Sequence, residues 1–105
     1  MIFDPGAIDA FGVRKDGGAD LLIVPAGPPD GSPETQQALL DKVEAYLGYI
    51  HSDEFRAQRP NAAPENTRIL LRLEEEPPAP LTALIEQIIP WAAENGASFR
   101  VQIKA

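Results

Sequence analysis

The sequence predicts an α+β protein: a two-layer α/β sandwich in ββαβαβ order, with a four-stranded mixed sheet and two helices on one of its faces. Three observations lead there. First, Arg68-Ile69-Leu70-Leu71-Arg72-Leu73-Glu74 and Ser98-Phe99-Arg100-Val101-Gln102-Ile103-Lys104 alternate apolar and polar residues with a period of two, as strands do when one face is buried and the other is wet. Second, two longer stretches carry apolar residues at helical spacing, and each falls between two strand-like segments. Third, crossovers between parallel strands are right-handed almost without exception, so with both helices on one side of the sheet the strands follow in simple sequence. The alternation demands that arrangement, because strands covered on both faces read as continuous apolar runs.

The first strand is expected over residues 8–14, with Phe11 and Val13 on one face. Lys15-Asp16-Gly17-Gly18 then reads as a hairpin turn, since Asp-Gly and Gly-Gly accept a positive φ. Leu21-Leu22-Ile23-Val24 is the second strand, closed by Pro25; as an unbroken apolar run it gives no orientation. Residues 25–31 form a loop rich in proline and glycine. Ser32 caps the first helix, Pro33 fits its first position and Glu34 suits the positive end of its dipole. Leu39, Leu40, Val43, Tyr46, Leu47 and Ile50 make its apolar stripe. A further short turn of helix opens at Ser52-Asp53-Glu54-Phe55-Arg56 and ends before Pro60.

After the third strand, Glu75-Glu76-Pro77-Pro78-Ala79-Pro80 is a stiff acidic connector. The second long helix covers 79–95, with Leu81, Leu84, Ile85, Ile88 and Ala92 on one side and Asn95-Gly96 as its stop. Pro90 either kinks or breaks it. The simplest strand order is 1-2-3-4 with strand one antiparallel to the rest, although the connector leaves room for a split order. The whole is one domain, residues 1–105.

Composition narrows the function. The formal net charge is −7, from 16 acidic and 9 basic side chains, which argues against non-specific binding to nucleic acid or to an anionic membrane. There is no cysteine, which removes disulfides, thiolate catalysis and Cys-based metal sites. The start of the chain has no signal-peptide pattern and no apolar run is long enough to span a bilayer, so a cytoplasmic protein is expected.

No constellation names a reaction. His51, Ser52 and Asp53 are neighbours at a helix end, where side chains do not converge as a triad does; His51 is expected as a helix-end contact. Asp4, Asp9, Asp16 and Asp20 match no calcium loop and read as solvated turn residues, as Glu74-Glu75-Glu76 reads as a solvated run before a helix. No glycine-rich phosphate loop lies between a strand and a helix. No catalytic residue, cofactor or metal ligand is therefore assigned. What stands out is a basic stripe on the wet sheet face, Arg68, Arg72, Arg100 and Lys104, with Leu70 as the one large apolar residue among them. These residues, with Trp91 beside Pro90, are the candidate partner-binding set. RNA recognition on such a sheet needs stacking aromatics, and Phe99 alternates onto the buried side.

Asp4-Pro5-Gly6-Ala7-Ile8-Asp9-Ala10-Phe11-Gly12-Val13, Tyr46-Leu47-Gly48-Tyr49-Ile50-His51-Ser52-Asp53-Glu54-Phe55 and the strand–proline pair–helix–strand run of 68–104 resemble a family of small bacterial proteins catalogued only as a domain of unknown function. The resemblance spans nearly the whole chain. It implies a bacterial, stand-alone domain and brings no activity, cofactor or catalytic residue with it.

The expected function is that of a non-enzymatic protein-interaction module that binds a protein partner, in the manner of an immunity protein, or a second copy of itself. The alternative is a small ligand-binding domain or enzyme, with a pocket between the 25–33 loop, Asp9 and His51.

Overall fold

In the computed structural model, which describes residues 9–104, the chain runs β1 (Ala10–Val13), β2 (Ala19–Ile23), α1 (Pro33–Ile50), α2 (Asp53–Gln58), a 3₁₀ turn at Pro64–Asn66, β3 (Thr67–Leu73), α3 (Ala79–Glu94) and β4 (Ser98–Ile103). The strands pair in the order β1-β2-β3-β4, with β1 antiparallel to β2 and the other two pairings parallel. The unsplit order expected from the sequence is the one formed. Ile8, the expected start of the first strand, and Asp4 lie outside the described residues.

Side-chain alternation divides the sheet into two faces. Ala19, Leu21 and Ile23 of β2, Ile69, Leu71 and Leu73 of β3 and Phe99 of β4 are buried together with Leu39, Val43 and Tyr46 of α1 and Leu81, Ile85 and Ile88 of α3. This is the core, and both long helices lie on it. α2 adds Phe55, whose ring meets Phe11 and Tyr49 edge-on at 6.2 and 5.5 Å between centroids. The opposite face carries Asp20, Leu22, Arg68, Leu70, Arg72, Arg100 and Gln102, which the register sets in rows: Asp20–Arg68–Ser98, Leu22–Leu70–Arg100 and Arg72–Gln102. β2 starts two residues before the apolar run, which brings Asp20 into the sheet.

The helix ends follow local chemistry. Ser32 Oγ accepts the Thr35 amide at 3.2 Å, Pro33 opens α1, and Asp30 ties both hydroxyls together, accepting from Ser32 Oγ at 2.7 Å and from Thr35 Oγ1 at 2.6 Å. Those hydrogen bonds hold the Asp30 carboxyl below its ordinary range, the Thr35 hydroxyl first among them. Ser52 joins two helices: its hydroxyl donates to the Tyr49 carbonyl at 2.6 Å and accepts the Phe55 amide at 3.2 Å. α3 ends at Gly96, which adopts φ +94° while the Ala97 amide reaches back to the Ala92 carbonyl at 3.1 Å.

α3 continues unbroken through Pro90. Both Pro90 and Glu86, whose carbonyl loses its amide partner to the proline ring, are exposed, so water can pair the freed oxygen. Trp91 is half-buried and packs against the core. No helix among the described residues is long and apolar enough to cross a membrane.

Candidate functional site

The face of the sheet without helices is electrically divided. At its amino end, Asp20 accepts a bidentate pair from Arg68, Nε to Oδ1 at 2.8 Å and Nη2 to Oδ2 at 2.9 Å. Arg14 also reaches Asp20, at 3.4 Å, and holds Asp16 at 3.2 Å. The bonded Arg68 guanidinium, with Arg14 behind it, keeps the Asp20 carboxyl below the usual carboxylate range; Asp16 is lowered mainly by its bond from Arg14. Two arginines and two aspartates thus neutralise one another.

At the carboxyl end nothing comparable happens. Among the described residues Arg72, Arg100 and Lys104 have no carboxylate within ion-pair distance. Arg72 makes only a long contact to Gln102, at 3.5 Å. Arg72 and Lys104 border a groove of about 710 Å³ where the parallel strands end, lined also by Val24, Pro25, Glu74 and Ile103, and Arg100 stands outside it. Val24 and Ile103 are 45% and 44% exposed there, which gives the groove an apolar rim.

The candidate set expected from the sequence therefore separates. Arg72, Arg100 and Lys104 share the face, Arg72 standing diagonally between the other two because the register sets it beside Gln102. Arg68 is taken up by Asp20. Leu70 lies on the expected face but is only 4% exposed, not outward in water: the register sets it between Leu22 and Arg100, with Arg68 and Arg72 two positions away on its own strand. Arginine stems lie along apolar neighbours while keeping their charge wet, which accounts for a buried leucine on an open face. Trp91 belongs to the helical layer, on the other side of the sheet from the cations.

The pocket imagined between the 25–33 loop, Asp9 and His51 does not form. α1 starts at the carboxyl edge of the strands and, at 1.5 Å per residue, carries His51 about 27 Å away. His51 Nε2 donates to the Asn95 carbonyl at 2.7 Å, so the residue that ends α1 also satisfies the end of α3. It borders a separate, smaller groove with Arg56, Arg59 and Thr67. Ser52 is occupied as a helix cap, so the trio His51-Ser52-Asp53 holds no poised nucleophile. Among the described residues no group of His, Cys, Asp or Glu is arranged to hold a metal ion.

Asp9 is engaged elsewhere. Its carboxylate accepts Lys42 Nζ at 2.8 Å and the Val24 amide at 2.8 Å. Lys42 is fully buried on α1, and its ammonium lies 5.3 Å from the centre of the Tyr46 ring. The Tyr46 hydroxyl sits between β1 and β2, donating to the Leu22 carbonyl at 2.6 Å and accepting the Asp9 amide at 2.9 Å. It bridges the start of β1 to β2, and burial pushes its pKa up to about 12.

The acid limb of stability depends on Asp20. Its folded pKa is depressed, so its pairing contributes above the unfolded value of about 3.9 and is lost as pH falls through the folded value. Asp20→Asn is expected to lower stability by about 1 kcal/mol at neutral pH. The difference from wild type shrinks below about pH 4, as urea denaturation across pH would show. A constant difference down to pH 2 would assign the loss to packing instead.

With helices on one sheet face and none on the other among the described residues, the fold is an open-faced α/β sandwich. The chain belongs to a family of unknown function (DUF6572), whose model matches residues 1–105. No curated protein and no solved structure matches it.

Proposed function

We propose that this chain is a non-enzymatic binding module that holds an acidic surface of a protein partner against Arg72, Arg100 and Lys104. One observation carries the reading: in a chain of net charge −7, these three cations run from the middle of a sheet face to its carboxyl end without carboxylate partners among the described residues, while Arg14 and Arg68 at the amino end are paired. Unpaired cations beside an apolar-rimmed groove provide charge complementarity to an acidic partner and steer its approach. The acidic remainder of the surface disfavours the same partner elsewhere. The cysteine-free sequence suits a reducing compartment, and we place this role in the cytoplasm.

The test is affinity co-purification from native-host extract with the wild type, the R72E/R100E/K104E variant and a K15E/R56E control. A partner retained by wild type and control, released by salt, and absent from the triple variant supports the reading. The same proteins on all three baits, or none on any, sinks it.

A further inference from the structure

We infer that the free edge of β4 takes up an extended peptide as a fifth strand, and that the peptide alternates acidic and apolar residues. The inference rests on the preceding reading and adds to it a mode of binding and a partner class. β4 is the last strand of the sheet and pairs only with β3 among the described residues. The Lys104 amide donates to the Leu73 carbonyl at 2.8 Å, so Lys104 turns its backbone toward β3. By the two-residue period, Gln102 and Arg100 do the same, and the amides and carbonyls of Phe99, Val101 and Ile103 face outward from the sheet. Those outward groups are the template onto which a strand can be added.

The two sides of that edge differ in chemistry. On the bare face stand Arg100 and Lys104, four residues apart on one side of the strand, with Arg72 one strand inward. On the helical side a shallow groove of about 260 Å³ runs between β4 and the start of α3, lined by Thr82, Ile85, Val101 and Ile103, with Glu76 and Pro77 at its margin. An added strand sends successive side chains to opposite faces. Acidic residues at every second position meet Arg100 and Lys104; the apolar residues between them meet Val101, Ile103 and Ile85. A second copy is the poorer occupant, because β4 carries no carboxylate to set against Arg100 and Lys104 in any register, and antiparallel pairing centred on Gln102 would set Arg100 against Lys104 of the second copy, where like charges repel.

The test titrates the intact protein with a fluorescent peptide of roughly eight residues in which glutamate alternates with valine. A peptide of the same composition with its glutamates grouped in one half is the comparison. Two further peptides carry N-methyl groups on one or the other alternate set of amides. The alternating peptide is expected to bind at least about tenfold more tightly than the grouped one, and to lose that advantage against R100E/K104E. One N-methylated peptide should fail while the other binds, because only one set of amides faces β4. The Val101→Pro variant removes an outward amide without touching the β3 ladder and should weaken binding in the same way; the N-methylated pair tests the point even if that variant does not fold. Equal binding of grouped and alternating peptides, or of both N-methylated ones, overturns strand addition and leaves acidic recognition standing. Absence of binding by every peptide also overturns it. The fate of the general reading is decided separately, by the co-purification with R72E/R100E/K104E.

Discussion

Lys42→Ala is expected to lower the unfolding free energy by about 3–5 kcal/mol, a large share of the total for a domain of this size. Lys42 is completely buried in the middle of α1, with its ammonium 2.8 Å from Asp9 and over the face of Tyr46. Truncation removes the stem from a packed interior and leaves the Asp9 carboxylate without its cation. Asp9 in turn holds the Val24 amide, and its own amide is held by Tyr46, so the loss reaches the junction of β1, β2 and α1. Lys42→Met separates the contributions: it keeps most of the stem, so it should recover the packing part and retain the deficit from the pair. Chemical denaturation of the three proteins reads both terms. A loss below about 1 kcal/mol for Lys42→Ala would mean that the pair does little for stability.

Gly18→Ala ranks next, with an expected loss of about 3 kcal/mol. A Cβ at this position would lie 2.7 Å from both the carbonyl carbon and the Cβ of Asn66, and closer still to the Asn66 carbonyl oxygen. Asn66 has nowhere to retreat. Its side chain accepts the Ala63 amide at 2.7 Å and donates to the Asp16 carbonyl at 3.3 Å. Arg59 holds the same turn from the other side, donating to the Gly18 carbonyl at 2.9 Å and the Arg14 carbonyl at 3.1 Å. Gly48→Ala is the contrast. Gly48 lies inside α1 with nothing within 4 Å of the added carbon, so that change should stabilise by about 0.5–1 kcal/mol. Thermal unfolding of the two variants should therefore shift in opposite directions. Equal, small shifts would show that the hairpin turn can move away from the 59–66 loop.

The Gly17-Gly18 pair also marks the boundary of what could be read in advance. Positive φ is needed at Gly17 alone, at +94°; Gly18 is glycine because another backbone passes over it. Turn chemistry is local and visible in four residues, whereas the approach of Asn66 depends on the whole crossover. The same distinction holds elsewhere. Ser32-Pro33, Asn95-Gly96 and the alternation of β3 and β4 act over a few positions, and the elements they announce are present. Asp20 reads as a solvated turn residue until parallel register places it beside Arg68. Leu70 reads as outward because period two carries no information about the arginines around it. Lys42 is silent for the opposite reason: a lysine on an amphipathic helix is assigned to water unless its partner, here 33 residues away, is known. Of the candidate site, charge and face were legible, and the division into paired and unpaired cations was not, because it depends on which strand lies beside which.

The strand order β1-β2-β3-β4 is also the order of synthesis. No strand has to be inserted between two others; each arrives at an edge that already exists. The chain can therefore build its sheet from one side as it leaves the ribosome, closing one long crossover at a time. During that interval β3 is the growing edge, apolar on one face and open to pairing with any other nascent chain. Arg68 and Arg72 stand on its other face, and charge on an edge strand discourages such pairing. When β4 docks, the exposed position passes to Arg100 and Lys104. On this side of the sheet the outermost strand thus carries basic residues at each stage, which selects against neutral and basic strands and leaves an acidic one as the fitting partner.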